Sequence, residues 1–138
     1  MVNPLKVGLR AGAGPLPGYA WTVAYLSIAR DEAMDFLNDE QYAHAVDLVR
    51  ALASEADPSH ASVVTVEAIE NFLELKDKGG VLGKINLRIY FIIDRGKKAI
   101  VILAAIKKEA DGQTPTWVKI RVRNRLRKFL AGEFGQLS

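Results

Sequence analysis

Two neighbouring segments in the second half of the chain constrain the fold more than any other feature. Residues 84–94 alternate between apolar and polar side chains, which is typical of a strand with two different faces. The apolar set is Ile85, Leu87, Ile89, Phe91 and Ile93, and the polar set is Lys84, Asn86, Arg88 and Tyr90. Residues 99–106 form a nearly continuous apolar run, which indicates a central strand. Because turn-forming residues 94–97 join the two segments, they predict an antiparallel hairpin with one face in the core and one face carrying chemistry.

The first half of the chain predicts one strand and two helices. Residues 20–28 are rich in aromatic and branched side chains and suit a strand, and a short helix is expected over residues 31–37. From Asn38 onward, apolar residues recur at three- and four-residue spacing, which predicts an amphipathic helix. Asn38 and Gln41 have the spacing of a capping box, and Asp57-Pro58 ends the helical pattern.

The segments on either side of the hairpin complete the predicted order of elements. Residues 59–68 are ambiguous, whereas residues 69–76 alternate as a strand does. After the polar loop 109–113, Thr114 is placed to cap a helix with Pro115 at its first position. The expected buried stripe of this helix is Val118, Val122, Leu126 and Phe129. Its remaining surface is basic, and Gly132 is placed to end it.

The length of 138 residues limits the chain to one domain with a modest core. We expect a flexible Gly/Pro-rich leader over residues 1–18, a folded domain over residues 19–131 and a tail over residues 132–138. No apolar run reaches the roughly 18 residues that a membrane span needs, and no export signal is evident. The absence of cysteine excludes disulfides and thiolate zinc sites, and it fits a cytoplasmic location.

The net charge of +3 conceals two halves of opposite sign. Residues 1–75 hold four Lys/Arg against eleven Asp/Glu, a balance of −7, whereas residues 76–138 hold fifteen against five, a balance of +10. A local basic excess of this size is the footprint of a surface that meets phosphates or an acidic protein. Nucleic acid is the partner that this asymmetry favours most, although a merely solvated basic face remains an alternative.

The order of strand, two helices, three-stranded antiparallel sheet and closing helix on a small basic chain resembles the RelE/ParE toxin superfamily. The amino-acid sequences of four segments are similar to those of the HigB-like, phage-derived branch: residues 70–76 (ENFLELK), 85–91 (INLRIYF), 101–108 (VILAAIKK) and 114–115 (TP). The resemblance spans residues 21–130, and residues 83–115 carry most of it. It implies an α+β, RelE-like fold in which an N-terminal strand and a helix pair lie on a small antiparallel sheet, followed by a C-terminal basic helix.

The resemblance also implies an activity. Such proteins are the toxins of type II toxin-antitoxin systems in bacteria, and many are endoribonucleases that cut messenger RNA in the ribosomal A site and arrest translation. The implied partners are mRNA, ribosomal RNA and a cognate antitoxin, often a helix-turn-helix protein, and no metal or other cofactor is implied. In this chemistry the ribose 2′-hydroxyl attacks the adjacent phosphate, so the enzyme must align the nucleotides, move one proton and stabilise charge.

Four basic residues match the family's phosphate-binding positions. Arg88 would bind the scissile phosphate bidentately through its guanidinium, and Lys108 would neutralise developing negative charge. Lys107 would assist it or contact the flanking RNA backbone. Lys76 stands where the family often has arginine, so it keeps the charge but lacks the planar fork.

The proton-transfer group is left open between Lys84 and Glu74, because both histidines lie outside the basic half. Tyr90 is a candidate for stacking on a base or donating a hydrogen bond to RNA, and packing is its alternative role. Arg121 and Arg125 on the terminal helix would bind ribosomal RNA or an acidic antitoxin. Trp21 and Trp117 are expected in the core.

Two other functions stay open beside the ribonuclease. A ParE-like gyrase inhibitor would act by binding alone and would need no proton-transfer group. A non-catalytic family member would bind only RNA or an antitoxin.

Overall fold

The computed structural model describes residues 6–7, 19–109 and 112–135. These residues form an α+β fold with one six-stranded sheet and three α-helices. The strands are β1 (Lys6–Val7), β2 (Thr22–Tyr25), β3 (Thr65–Ala68), β4 (Leu73–Asp77), β5 (Leu87–Asp94) and β6 (Ala99–Lys107). The helices are α1 (Ser27–Phe36), α2 (Asp39–Ala53) and α3 (Thr116–Leu130). The α+β class expected from the sequence is therefore confirmed.

The sheet has the strand order β1-β2-β6-β5-β4-β3. Strand β2 runs parallel to β6 and the other pairs are antiparallel, so the sheet is mixed. The predicted hairpin is confirmed, since β5 and β6 pair from Asp94↔Ala99 at the turn to Leu87↔Lys107 at the far end. Strand β6 is central, as its continuous apolar run predicts, because it lies between β2 and β5.

Both faces of the sheet are covered, which the alternation in β5 did not predict. On one face α2 packs over a cluster that includes Leu87, Ile89 and Phe91. On the other face α3 packs over a second cluster that includes Tyr90. The expectation of one core face and one exposed chemical face is therefore wrong over the middle of β5, because polar side chains of this strand lie under the closing helix.

The start of α2 follows the capping box predicted from its sequence. Asn38 Oδ1 accepts from the backbone N–H of Gln41 at 2.8 Å, and the Gln41 side chain accepts from the backbone N–H of Asn38 at 3.0 Å. The helix ends at Ala53, a few residues before the predicted end. Asp57 instead caps a short 3₁₀ turn, Pro58–His60.

The start of α3 differs from the prediction. Pro115 occupies the N-cap position, and no side chain caps the helix. The hydroxyl of Thr114 donates to Glu74 Oε2 at 3.2 Å instead, because Thr114 is buried beside that carboxylate. The end agrees with the sequence, since Gly132 follows the last turn with φ 80°, a left-handed conformation that glycine adopts without strain.

The structure describes only part of the predicted leader and part of the predicted tail. Of the predicted leader, only Lys6 and Val7 lie within the described residues, and they pair with Tyr25 and Ala24 of β2 as an edge strand. Of the predicted tail, residues 132–135 are described. Strand β2 is shorter than expected, and α1 begins at Ser27, four residues earlier than predicted.

A buried ion pair joins α1 to α3 across an irregularity of β6. Leu103 is the extra residue where the register between β5 and β6 shifts. Arg125 donates to the Leu103 carbonyl at 2.9 Å, and Glu32 Oε1 accepts from the backbone N–H of Ala105 at 3.2 Å. The Arg125 guanidinium meets the Glu32 carboxylate with two nitrogens, at 2.7 and 2.9 Å. The pair thus satisfies backbone groups of β6 beyond the end of β2.

Candidate functional site

Arg88 and Lys76 are direct neighbours across the β4–β5 ladder. Both line an open depression of ≈ 590 Å³ at the end of these strands. We call this the Arg88 depression, and its other lining residues are Thr65, Glu67, Asp77, Lys78, Gly112 and Gln113. The structure thus brings together two of the predicted phosphate-binding residues.

Arg88 is only 5% exposed, and its guanidinium is held by contacts on several sides. Its Nη1 donates to Asn86 Oδ1 and to the Leu87 carbonyl, the latter at 3.3 Å. Its Nε lies 3.6 Å from Glu74 Oε2. A guanidinium fixed in this way loses little rotamer freedom when it binds an anion, which is the preorganisation that phosphate binding favours.

Lys76 stands at the rim of the same depression. Its Nζ donates to Glu67 Oε1 at 3.2 Å, and the side chains of Lys76 and Glu67 are 32% and 55% exposed. An exposed pair of this kind contributes little to stability, so an incoming phosphate can compete for the lysine at small cost.

Glu74 is the centre of a buried hydrogen-bond network rather than a surface group. The residue is 3% exposed, and its Oε2 accepts from the Tyr90 hydroxyl at 2.7 Å and from the Thr114 hydroxyl at 3.2 Å. These contacts join β4, β5 and the segment that precedes α3. Because Glu74, unlike Arg88, is not among the described lining residues of the Arg88 depression and its Oε2 already accepts two hydrogen bonds, the geometry favours a positioning role for Glu74 over the predicted role of general base.

Tyr90 is fully buried, so the prediction that it contacts RNA is wrong for this conformation. Its ring meets Phe72 edge-on with centroids 5.9 Å apart, and α3 covers it. Burial and the hydrogen bond to Glu74 raise the pKa of the Tyr90 phenol well above its usual range. The alternative that the sequence left open, packing, is the role that the structure gives to Tyr90.

The buried phenol of Tyr90 predicts a stability loss at alkaline pH. Its pKa is raised in the folded protein, so its contribution is complete below the unfolded value of about 10 and declines as pH rises above it. We expect the free energy of unfolding, measured in urea between pH 9 and 11.5, to fall more steeply for the native protein than for Tyr90→Phe. Equal slopes for the two proteins would contradict the burial of this phenol.

A second open depression of ≈ 590 Å³ lies beside the first. It contains two of the predicted catalytic residues, Lys84 and Lys108, and we call it the three-lysine depression because Lys78 also lines it. Lys84 is exposed and precedes β5 instead of lying on it, so it does not share a strand face with Arg88 as the sequence predicted. Lys108 is largely buried, and its Nζ donates to the Gly112 carbonyl.

The remaining predicted RNA-binding residues lie apart from the two depressions. Lys107 is exposed at the end of β6. Arg125 is 9% exposed and is engaged with Glu32, so the structure gives it a structural contact in place of an open surface. Arg121 is exposed and also reaches Glu32, at 3.0 Å.

The two tryptophans differ from one another. Trp21 lies in the core as predicted, whereas Trp117 is 53% exposed, so its predicted burial is wrong. Val118 takes the neighbouring core position of α3, which turns Trp117 outward. The Arg121 guanidinium lies over the Trp117 ring, 5.0 Å from its centroid, which is a cation–π contact.

Sequence reasoning missed Lys78 and Asn86 as members of the site. Lys78 lines both depressions, and Asn86 lines one of them while its side chain contacts Arg88. The signal for Lys78 was present, because it follows Lys76 by two residues in the run Lys-Asp-Lys. The alternation of residues 84–94 predicted that Asn86 shares a face with Arg88, but the contact between their side chains appears only in the structure.

The described residues contain neither a membrane-spanning helix nor a cluster of metal-binding side chains. None of the helices among residues 19–109 and 112–135 is long and apolar enough to cross a membrane. In the same part of the chain, no three His, Cys, Asp or Glu side chains are grouped so that they could hold a metal ion.

Comparison with known proteins gives no relative on which a function could be based. No protein-family model matches the chain, and neither the curated proteins nor the solved structures contain a match.

Proposed function

We propose that this protein is the toxin of a type II toxin-antitoxin system and acts as a metal-independent endoribonuclease on mRNA in the ribosomal A site. The proposal starts from the family resemblance of residues 21–130 and takes a RelE-like fold as its premise. The observation that carries it is the Arg88 depression, where a preorganised guanidinium lies beside Lys76 and Lys78. A cognate acidic antitoxin, docking on the basic helix α3, would hold the protein inactive.

The reaction needs three contributions from these residues. The Arg88 depression would bind the scissile phosphate and stabilise charge as the ribose 2′-oxygen attacks phosphorus. A base must take the 2′-hydroxyl proton, and the departing 5′-oxygen must receive one, which leaves a 2′,3′-cyclic phosphate and a 5′-hydroxyl end. Of the two predicted proton-transfer groups, Glu74 is buried and Lys84 lines the neighbouring depression, so the described lining of the Arg88 depression contains neither of them.

Expression of the protein without its antitoxin tests the proposal. We expect growth arrest and, by primer extension, new 5′ ends within the codons of translated messages. Messages that stay intact while growth stops would overturn the ribonuclease, and inhibition of DNA supercoiling in the same cells would then favour a gyrase inhibitor.

One observation favours a second candidate, a non-catalytic protein that binds RNA. Glu74 and Tyr90, two groups able to move a proton, are both buried, and the Tyr90 hydroxyl donates a hydrogen bond to Glu74. A binding protein requires the cationic depressions but no base. Unimpaired growth on expression, together with binding of the purified protein to RNA, would support this candidate over the enzyme.

A further inference from the structure

Among the described residues, those that line the three-lysine depression carry more positive charge than those that line the Arg88 depression beside it. They are the three lysines, the carboxylate Glu109, and Gly79, Gly83 and Asn86. The Arg88 depression also has three cations, Lys76, Lys78 and Arg88, but two carboxylates lie among its lining residues. Three lysines gathered at one depression attract an anion.

The cations of the two depressions also differ in the groups that they contact. In the Arg88 depression, carboxylates oppose two of the cations: Glu67 opposes Lys76 at 3.2 Å, and Glu74 opposes Arg88 at 3.6 Å. In the three-lysine depression, the Lys108 ammonium donates to the neutral Gly112 carbonyl, which fixes its position without cancelling its charge. An anion that enters would therefore meet a positioned ammonium and the exposed lysine Lys84.

The two depressions adjoin each other. Lys78 lines both of them, and Asn86, which lines the three-lysine depression, accepts a hydrogen bond from Arg88. Asn86 precedes Arg88 by two residues, which corresponds to about 7 Å along an extended chain. Because the depressions share Lys78 and are joined by the Asn86–Arg88 contact, one single strand with a phosphate in the first can reach the second.

We propose that the three-lysine depression binds the RNA phosphate next to the scissile one, with Lys78 and Lys84 as its exposed ligands and Lys108 as its fixed cation. This inference rests on the proposed function, because it takes the Arg88 depression as the place of the scissile phosphate. It adds a second phosphate subsite, so the substrate must extend beyond the two nucleotides that flank the cut. A single RNA strand is the occupant that follows from the proposed function, because the proposed substrate already occupies the adjoining Arg88 depression.

The salt dependence of RNA binding tests the subsite. A fluorescein-labelled, 2′-O-methylated hexaribonucleotide, which cannot be cleaved, is titrated with purified protein between 25 and 200 mM KCl. We expect Lys84→Gln to bind several-fold more weakly than the native protein, with a slope of log affinity against log salt reduced by about 0.7, the value for one lost phosphate contact with a single strand. Lys78→Gln is expected to act in the same direction, and Lys84→Arg should keep the native slope.

Lys97→Gln is the matched control, because Lys97 is an exposed lysine just beyond the opposite end of β5. It removes the same charge and should leave affinity and slope nearly unchanged. Equal losses for Lys84→Gln and Lys97→Gln would overturn the subsite, since they would show an effect of net charge only. Competition by an oligoglutamate of equal charge that matches competition by unlabelled RNA would also overturn it, in favour of an acidic protein partner.

The two proposals fail in distinguishable ways. If the native protein cleaves translated messages while Lys84→Gln keeps the native slope, the subsite is wrong and the ribonuclease stands. If the native protein binds RNA with a slope that Lys84→Gln reduces, but messages stay intact in cells, the ribonuclease is wrong and the subsite belongs to an RNA-binding protein. Thermal unfolding of each variant, followed by circular dichroism, shows that the exposed substitutions leave the fold intact.

Discussion

Arg88→Ala is expected to abolish growth arrest on expression and to reduce RNA cleavage by about 10²–10³-fold, the usual effect of removing one preorganised donor from a transition state. The physical reason is that the guanidinium, held by Asn86 and the Leu87 carbonyl, is a fixed cation lining the depression in which the scissile phosphate is proposed to bind. Growth curves and primer extension measure the loss in cells. Arg88→Lys should recover only part of the activity, because an ammonium keeps the charge without the planar fork.

Arg95→Ala is the matched control for Arg88, since it removes an arginine of the same hairpin just beyond the other end of β5. Arg95 is exposed and reaches Asp57 at 3.2 Å, far along the strand from the depressions. Full toxicity is expected for this variant. Because Arg88 is buried against Glu74, the melting temperature of purified Arg88→Ala must be measured as well. A folded Arg88→Ala protein that still arrests growth would remove the central residue of the proposed mechanism.

Glu32→Ala is expected to lower the free energy of unfolding by about 3 kcal/mol, the lower end of the effect of removing one partner of a buried charge pair, because the Glu32 side chain is still 17% exposed. The substitution leaves the guanidinium of Arg125 buried with the Leu103 carbonyl as its remaining acceptor among these contacts. It also removes the acceptor of the Ala105 backbone N–H. Urea unfolding at neutral pH measures the change.

Two comparisons make the Glu32 prediction specific. Glu70→Ala removes a carboxylate that meets Arg123 with two oxygens at the protein surface, and we expect a much smaller loss because solvent screens that pair. In the second comparison, the double variant Glu32→Ala/Arg125→Ala should lose less stability than the sum of the two single variants. Additive losses, or a Glu70→Ala loss as large as that of Glu32→Ala, would contradict a buried, coupled pair.

The sequence predicted those elements whose signals are local. The hairpin of β5 and β6, the central position of β6 and the capping box of Asn38 and Gln41 all follow from residue spacing within a few turns or one strand pair. Arg88 and Lys76 were predicted together because they match the motifs of one resembling family, and the register of β4 and β5 places them side by side. Their roles on RNA stay predictions.

The errors arose where long-range packing overrides a local pattern. Tyr90 alternates with apolar residues as an exposed side chain would, yet α3 covers it. Threonine is a common N-cap residue, but the Thr114 hydroxyl instead donates to the carboxylate of Glu74, 40 residues earlier in the chain. Trp117 suggests a core residue by its size, and the helix phase set by Val118 turns it to solvent.

The sequence by itself determined the α+β class, the hairpin and the concentration of positive charge after residue 75, because these depend on side-chain type and on spacing along the chain. Only the tertiary structure decided which charges face solvent. It buried Glu74 and Arg125 with partners on other elements, and it left Lys78 and Lys84 at adjacent depressions. The reason is that a buried charge needs a partner at hydrogen-bond distance, and the fold brings such partners from distant positions in the sequence.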